Sequence, residues 1–158
     1  MNNNLEIERK FLVNGDFRKD IISSEHIKQG FLSSVPERIV RVRIYGNRAF
    51  LTIKGIANES GTSRYEFEKE IDTADAERLL EICEPEIIEK TRFISIFKGK
   101  KIEIDVFEGQ NSGLVVAEIE LKTEDEFFEK PPWLGKEVTG NIIYYNSNLS
   151  KMPFVNPK

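Results

Sequence analysis

The stretch Leu5-Glu6-Ile7-Glu8-Arg9-Lys10-Phe11 alternates apolar and charged residues with one interruption, at Arg9. Successive side chains of a β-strand point to opposite faces, so Glu6, Glu8 and Lys10 share one face and Arg9 falls on the other. The habit returns at Arg41-Val42-Arg43, Thr52-Ile53-Lys54, Glu66-Phe67-Glu68, Glu103-Ile104-Asp105 and Glu118-Ile119-Glu120-Leu121-Lys122. A sheet with one solvated face accounts for any one of these segments. Taken together they are unusual, because the polar positions are mostly Glu, Asp, Lys and Arg where strands favour Thr and other β-formers. Charge concentrated against strand propensity points to a face with a use.

Period-two patterning predicts strands near residues 3–13, 26–34, 38–45, 48–54, 63–72, 87–98, 101–108 and 114–122. Gly46-Asn47, Gly99-Lys100 and the run Gly109 to Gly113 separate neighbouring strands and supply the positive φ that hairpins need, so the sheet is mainly antiparallel. Helices are predicted over about 74–83, capped at Asp72 or Thr73 and striped by Leu79, Leu80 and Cys83, and from Thr123, where Glu126 stands at capping-box spacing and Pro131-Pro132 ends the run. A third, short helix follows Thr139, and the small, polar segment Gly55 to Thr62 reads as a loop at one mouth of the sheet. With 158 residues and no linker or repeat, the chain reads as one domain, 1–158.

Composition removes several function classes. A net charge of −4 leaves no basic excess to draw the chain to nucleic acid or anionic lipid. The single Cys83 forms no internal disulfide, and no apolar run approaches the ~20 residues of a membrane span. These features indicate a reducing, cytoplasmic setting. His26 is the sole histidine, so acid–base or metal chemistry must rest mainly on carboxylates, lysines or tyrosines.

Closing eight strands with the charged face inward gives an α+β architecture: an eight-stranded antiparallel β-barrel, or tunnel, with a charged interior and peripheral helices. Leu5, Ile7, Val40, Val42, Phe67, Ile104, Ile119 and Leu121 then point outward under helices. Inside, Glu6, Glu8, Glu118 and Glu120 approach one another, and like unit charges ~5 Å apart repel by roughly 3 kcal/mol at an effective dielectric of about 20. Such a cluster needs a cation or a proton, and hard oxygen donors suit Mg²⁺ or Mn²⁺. Lys10, Arg41, Arg43, Lys54 and Arg92 supply positive charge matched to phosphate oxygens. Acidic residues for a metal facing basic residues for an oligophosphate suit phosphoryl transfer, which depends on positioning and charge stabilisation.

At these residues the chain resembles a CYTH domain of the triphosphate tunnel metalloenzyme superfamily, in its small bacterial form, over essentially its whole length. The opening Glu-x-Glu-x-Lys signature matches Glu6, Glu8 and Lys10; the Arg-x-Arg matches Arg41 and Arg43; the later basic strand matches Lys54. Glu66 and Glu68 match the central Glu-x-Glu, Arg92 the following arginine, Asp105 the acidic strand, and Glu118 and Glu120 the closing Glu-x-Glu, while Trp133 to Thr139 resembles the family's tail. The resemblance implies metal-dependent hydrolysis of a triphosphate. It makes Glu6, Glu8, Glu118, Glu120 and Asp105 candidate metal ligands, and Lys10, Arg41, Arg43, Lys54 and Arg92 candidate phosphate ligands. Glu8, Lys10, Glu66 and Glu68 are the catalytic candidates. Relatives often carry Tyr in a Gln-Gly-Tyr-Leu stretch where this chain has Gln29-Gly30-Phe31-Leu32, so a phenol is missing there and a metal-oriented water activated by a carboxylate is expected instead.

Inorganic triphosphate leads as substrate because the visible ligands are all charged. The alternatives are a thiamine or nucleoside triphosphatase, a class IV-type adenylate cyclase, and a non-catalytic nucleotide- or polyphosphate-binding module. The expected partner is a small triphosphate compound, with no nucleic acid and no membrane. A homodimer is compatible with the resemblance, and the sequence does not separate it from a monomer.

Overall fold

A computed structural model of the chain describes residues 4–155. Its strands are β1 (Leu5–Val13), β2 (Ile21–Ser33), β3 (Ile39–Tyr45), β4 (Arg48–Lys54), β5 (Ser63–Ile71), β6 (Ile88–Phe97), β7 (Lys100–Phe107), β8 (Val115–Glu120) and a short β9 (Leu134–Glu137). Helix α1 (Thr73–Glu81) joins β5 to β6, and the one-turn α2 (Asn146–Leu149) lies near the carboxyl end. The first eight strands pair antiparallel in the order β1-β5-β4-β3-β2-β6-β7-β8 and return to β1, closing the barrel expected from the sequence. Closure is shared: β5 pairs with Leu5, Glu6 and Ile7, and β9 takes the same edge of β1 at Phe11 and Val13. No helix among the described residues is long and apolar enough to cross a membrane.

Register sorts the side chains. Cross-strand partners share a face, so Lys10 opposite Glu118, Glu8 opposite Glu120, Arg92 opposite Asp105, and Lys54 opposite Glu66 all point inward. Their neighbours in sequence point out and form the cores. On the outside of β1, β7 and β8, Phe11, Ile104, Ala117 and Ile119 pack with Phe17, Phe128 and Trp133. Outside β3 and β4, Val42 and Ala49 pack beneath Ala76 and Leu80 of α1. A third cluster lies at one end of the barrel interior, where Phe31, Ile39, Ile88, Phe107 and Val116 close around Leu149 of α2. The interior is therefore charged through most of its length and apolar at one end.

Several expectations need correction. No helix begins at Thr123. The carboxylate of Glu126 is taken by the Lys100 ammonium at 2.7 Å and the Lys122 backbone N–H at 3.2 Å, so the capping-box residues close only a turn. That leaves the chain extended enough to bring Phe128 onto Phe11, ring centroids 6.0 Å apart, while Phe127 is 86 % exposed. The outward apolar residues are thus covered on one side by an irregular segment rather than by helices, and Leu5 and Phe67 are left exposed. β2 begins at Ile21, not 26, because Ile21 to Glu25 pairs with β6 although it shows no alternation. β9 was not foreseen, and residue 3, at the start of the first expected strand, lies outside the described residues. The hairpin after β6 turns on Lys98 and Gly99, both at positive φ (49° and 79°), as a tight two-residue turn requires.

Phe128 and Phe127 separate anchoring from mere hydrophobicity. Phe128→Ala is expected to lower unfolding free energy by about 3–5 kcal/mol, the cost of emptying an aromatic core site. Phe127→Ala is expected to stay within about 0.5 kcal/mol. Urea unfolding of both variants with m-values checked tests this, and equal costs would refute the assigned packing.

Candidate active site

The inward rows come together as two facing arcs. β3 brings Arg41 and Arg43, β4 Lys54, and β6 Lys90 and Arg92; β1 and β8 bring Glu8, Glu118 and Glu120. In the ring order β8 and β3 stand four strands apart, which places them across the barrel from each other. A wide, water-accessible cavity of about 460 Å³ opens at one mouth, lined by Glu6, Glu8, Glu66, Glu68, Glu103 and Glu120 together with Arg41, Arg43, Lys54 and Arg92. It narrows to an inner chamber of about 40 Å³ that adds Lys10, Lys90, Arg64, Phe31, Ile39 and Tyr145.

On the basic side, Asp105 fixes the geometry. It is 1 % exposed and accepts two bonds from the Arg92 guanidinium at 2.7 and 2.8 Å, with the Lys90 ammonium at 2.7 Å. Although burial pushes its carboxyl upward, Arg92 and Lys90 hold it well below the usual carboxylate range. Glu103 takes another guanidinium nitrogen of Arg92 at 2.5 Å. Arg43 donates from Nε to Gln29 at 2.9 Å, and burial, with Arg41 and Arg92 nearby, pulls it down to about 9. Arg41 donates to Thr52 at 3.2 Å and lies 3.6 Å from Glu68, while its buried Nε has no hydrogen-bond partner among the described residues. A buried guanidinium donor left without an acceptor costs free energy.

The acidic side is under the opposite stress. Glu8 and Glu120 are direct cross-strand partners, with Glu118 two residues along. Burial pushes Glu8 well above the usual carboxylate range, and the charges of Glu118 and Glu6 add to that. Glu8 has no ion-pair partner within 4.0 Å among the described residues. Burial and then Glu6 also push Glu120 upward. Glu118 goes the other way: against the upward push of burial, Lys10 at 3.6 Å and Arg92 draw it down to about 2. Glu6 is bound to Lys54 at 2.9 Å, and Glu66, raised to about 7 by burial and by its hydrogen bond to Glu6, stands 3.3 Å from the same ammonium.

These donors are all carboxylate oxygens, and Glu8 is a carboxyl whose ionisation burial and its acidic neighbours oppose until a cation is supplied, so the set Glu8, Glu118 and Glu120 fits a hard divalent cation. In this structure their oxygens do not converge, and only Glu118 is drawn to a cation, Lys10. The described group whose three donor atoms lie within 4.8 Å of one another is His26, Glu89 and Glu108, half-exposed on the outer face of the barrel, with the imidazole Nε2 3.2 Å from Glu89 and 3.4 Å from Glu108.

The structure brings every sequence-predicted residue to the interior, but Asp105 faces Arg92 and Lys90 rather than a cavity, and Glu6 is engaged by Lys54. Sequence reasoning passed over Lys90, Arg64 and Glu103, each two residues from a chosen residue on the same strand and legible from the same period. Tyr145 and Asn146 carry no such signal. They reach the chamber because the segment after Thr139 folds back over it, where Asn146 accepts from Gln29 and Lys90, both at 2.8 Å.

The CYTH domain family model matches residues 4–153. The inorganic triphosphatase of Acetivibrio thermocellus is 45 % identical over 154 residues, covering 97 % of each chain. That of Nitrosomonas europaea is 38 % identical, covering 92 % of this chain and 96 % of the relative. The crystal structure of an inorganic triphosphatase superposes with a TM-score of 0.66 at 35 % identity, over 92 % of this chain and 93 % of that one. A closed antiparallel barrel with opposed acidic and basic arcs, matched along nearly its full length, places this chain in the CYTH family.

Proposed function

We propose that this chain, acting as a single tunnel unit, hydrolyses inorganic triphosphate with the help of a divalent metal. The observation that carries the reading is the division of one interior into a cation-rich arc with an unpaired guanidinium donor and a crowded carboxylate arc in which Glu8 resists ionisation. The 45 % identity to a curated inorganic triphosphatase supports the same substrate. Lys10, Arg41, Arg43, Lys54 and Arg92 hold the phosphoryl oxygens, the guanidinium forks in paired contacts and the lysines as point charges.

Glu8, Glu118 and Glu120, with Glu6 beside them, would hold Mg²⁺ or Mn²⁺, which when bound neutralises charge on the phosphoryl oxygens and on the leaving group. Glu66 and Glu68 on β5 line the mouth between the arcs and order the attacking water. Water oxygen bonds to the terminal phosphorus as the bridging P–O bond breaks, and its proton passes to a carboxylate. Pyrophosphate leaves with its new charge facing the arginines and lysines, so no covalent enzyme intermediate is needed. Asp105 serves here as the residue that positions Arg92 and Lys90, in place of the metal-ligand role expected for it. The substrate is a soluble small anion, in keeping with a cytoplasmic setting.

Glu8→Gln is expected to lower kcat/KM for triphosphate with Mg²⁺ at least 100-fold while leaving the melting temperature unchanged or higher, because it relieves a crowded carboxylate. Phosphate release and thermal unfolding on one preparation test both halves, and an active variant would sink the reading. Asp105→Ala should instead cost about 3–5 kcal/mol of metal-free stability, since it strands two buried cations. A loss below about 1 kcal/mol would argue against the positioning role.

The metal-free protein also has a defined pH dependence. Glu8 and Glu66 have raised folded pKa values, so between their ordinary value of 4.5 and about 7 the folded state binds more protons than the unfolded one. These two groups make stability fall as pH rises through that window, opposed only at its upper end by Lys90, which burial pulls down to about 7. Glu118, held near 2, acts only below it, where stability rises with pH. Urea midpoints from pH 4.5 to 7 in chelator should decline and should recover when Mg²⁺ is added. A rising or flat profile would count against the crowded-carboxylate arrangement.

A further inference from the structure

The inner chamber does not continue to the far end of the barrel. Beyond it lies a separate cavity of about 380 Å³, lined among others by Pro36, Ile56, Ile142, Glu59 and Lys151. The two spaces share Ile39, Arg64, Tyr145 and Ser147. Of these only Tyr145 presents an aromatic face to the cations of the chamber: the Lys10 ammonium lies 5.1 Å and the Arg64 guanidinium 5.7 Å from its ring centroid. Those distances are in the range of cation–π attraction, so the ring is held flat against the two charges.

The backbone around it is fastened as firmly. The Tyr145 N–H donates to Ile142 at 3.1 Å, and its carbonyl accepts from Leu149 at 2.8 Å, a residue sealed in the apolar end of the barrel. On either side the Tyr144 carbonyl accepts from Lys10 at 3.3 Å, and Asn146 is gripped by Gln29 and Lys90. Above the ring, Gly61 and Gly140 cross so closely that a Cβ on Gly61 would sit 2.2 Å from the Gly140 Cα and 3.2 Å from the tyrosine hydroxyl. Both glycines have positive φ, so neither position accepts a side chain without strain.

We propose that Tyr145 is a positioning residue that acts as a stop: its ring ends the row of phosphoryl sites and so fixes which phosphoanhydride bond lies against the carboxylates. This rests on the triphosphatase reading above. A linear chain entering from the wide mouth advances until its terminal phosphoryl meets the ring, with Lys10 and Arg64 on either side. Chain length beyond that point stays outside the mouth, and the bond presented for cleavage is the same whatever the length. Without the ring, the two cavities join, and Lys151 beyond gives a longer chain a reason to slide inward.

The test is product analysis by phosphorus NMR during the initial phase of linear tetraphosphate hydrolysis with Mg²⁺. Wild type and Tyr145→Phe should each give one product pair, either phosphate with triphosphate or pyrophosphate alone. Tyr145→Ala should give both pairs, with kcat for triphosphate falling at least tenfold more than KM changes. Tyr145→Leu, which keeps an apolar side chain but no ring, is expected to behave as Ala and covers the case in which the alanine variant does not fold. One product pair from the ringless variants, two pairs from wild type, or Tyr145→Phe behaving as Ala would each overturn the stop. Should wild type cleave no polyphosphate, the hydrolytic reading fails and binding in chelator decides. The affinity for long-chain polyphosphate relative to triphosphate must then rise about tenfold in Tyr145→Ala, and an unchanged ratio refutes the stop.

Discussion

Everything on the basic side of the barrel depends on one buried carboxylate. Arg41, Arg43, Lys90 and Arg92 crowd into an interior that, without a counter-charge, would expel them or strip their protons. Asp105 counters this for two of the four, taking Arg92 through both oxygens and Lys90 through one, at a position only 1 % exposed. A buried pair of this kind returns little net stability, since the desolvation of three charges offsets most of the attraction. What it confers is direction. With Arg92 fixed and Arg43 tied to Gln29, the guanidinium planes are set before any ligand arrives, and the ordering that a flexible site would have to supply on binding is already made.

The barrel was legible in the sequence because a closed ring of strands has only two faces and this chain assigns them by charge. Glu8, Lys10, Arg41, Arg43, Lys54, Arg92 and Glu118 could be placed inside from period-two spacing alone. Two kinds of feature escaped. The first is the partner of a residue. Asp105 alternates like the metal-ligand candidates, but which carboxylate meets a cation and which meets a metal is set by cross-strand register, here Asp105 opposite Arg92 and Glu8 opposite Glu120. The second is irregular chain. The run after Thr123 has helical capping chemistry, but Lys100 on β7 competes for Glu126, and Phe128 gains more by joining Phe11 than by extending a helix that Pro131 would soon stop. Tyr145 and Asn146 belong to the same class, placed by a fold-back that no local pattern announces.

The substitution at Phe31 fits its surroundings. Phe31 is opposite Arg41 in the pairing of β2 with β3, so its position does face the interior. Its neighbours are Ile39, Ile88, Phe107 and Leu149, and it is 4 % exposed. Phe31 thus sits at the border between this apolar cluster and the charged inner chamber, contributing packing to the one and a wall to the other. The apolar end therefore does two things at once: it gives the last layer of the barrel a packed core, and it seats Leu149, from which the Tyr145 backbone is hung.

The unliganded charges then follow a single logic. Positive and negative side chains could in principle have been interdigitated so that each interior residue found a mate, as Lys54 finds Glu6 and Lys10 finds Glu118. Segregating the remainder leaves an unpaired donor on Arg41 and, at Glu8, a carboxyl that burial and its acidic neighbours keep from ionising, each unfavourable in the protein alone. A phosphate chain alone would relieve the first and worsen the second, and a metal alone would do the reverse. Only the two together neutralise both arcs, so each should strengthen the binding of the other, and the electrostatic strain built into the empty barrel becomes selectivity for a metal–polyphosphate complex over either component.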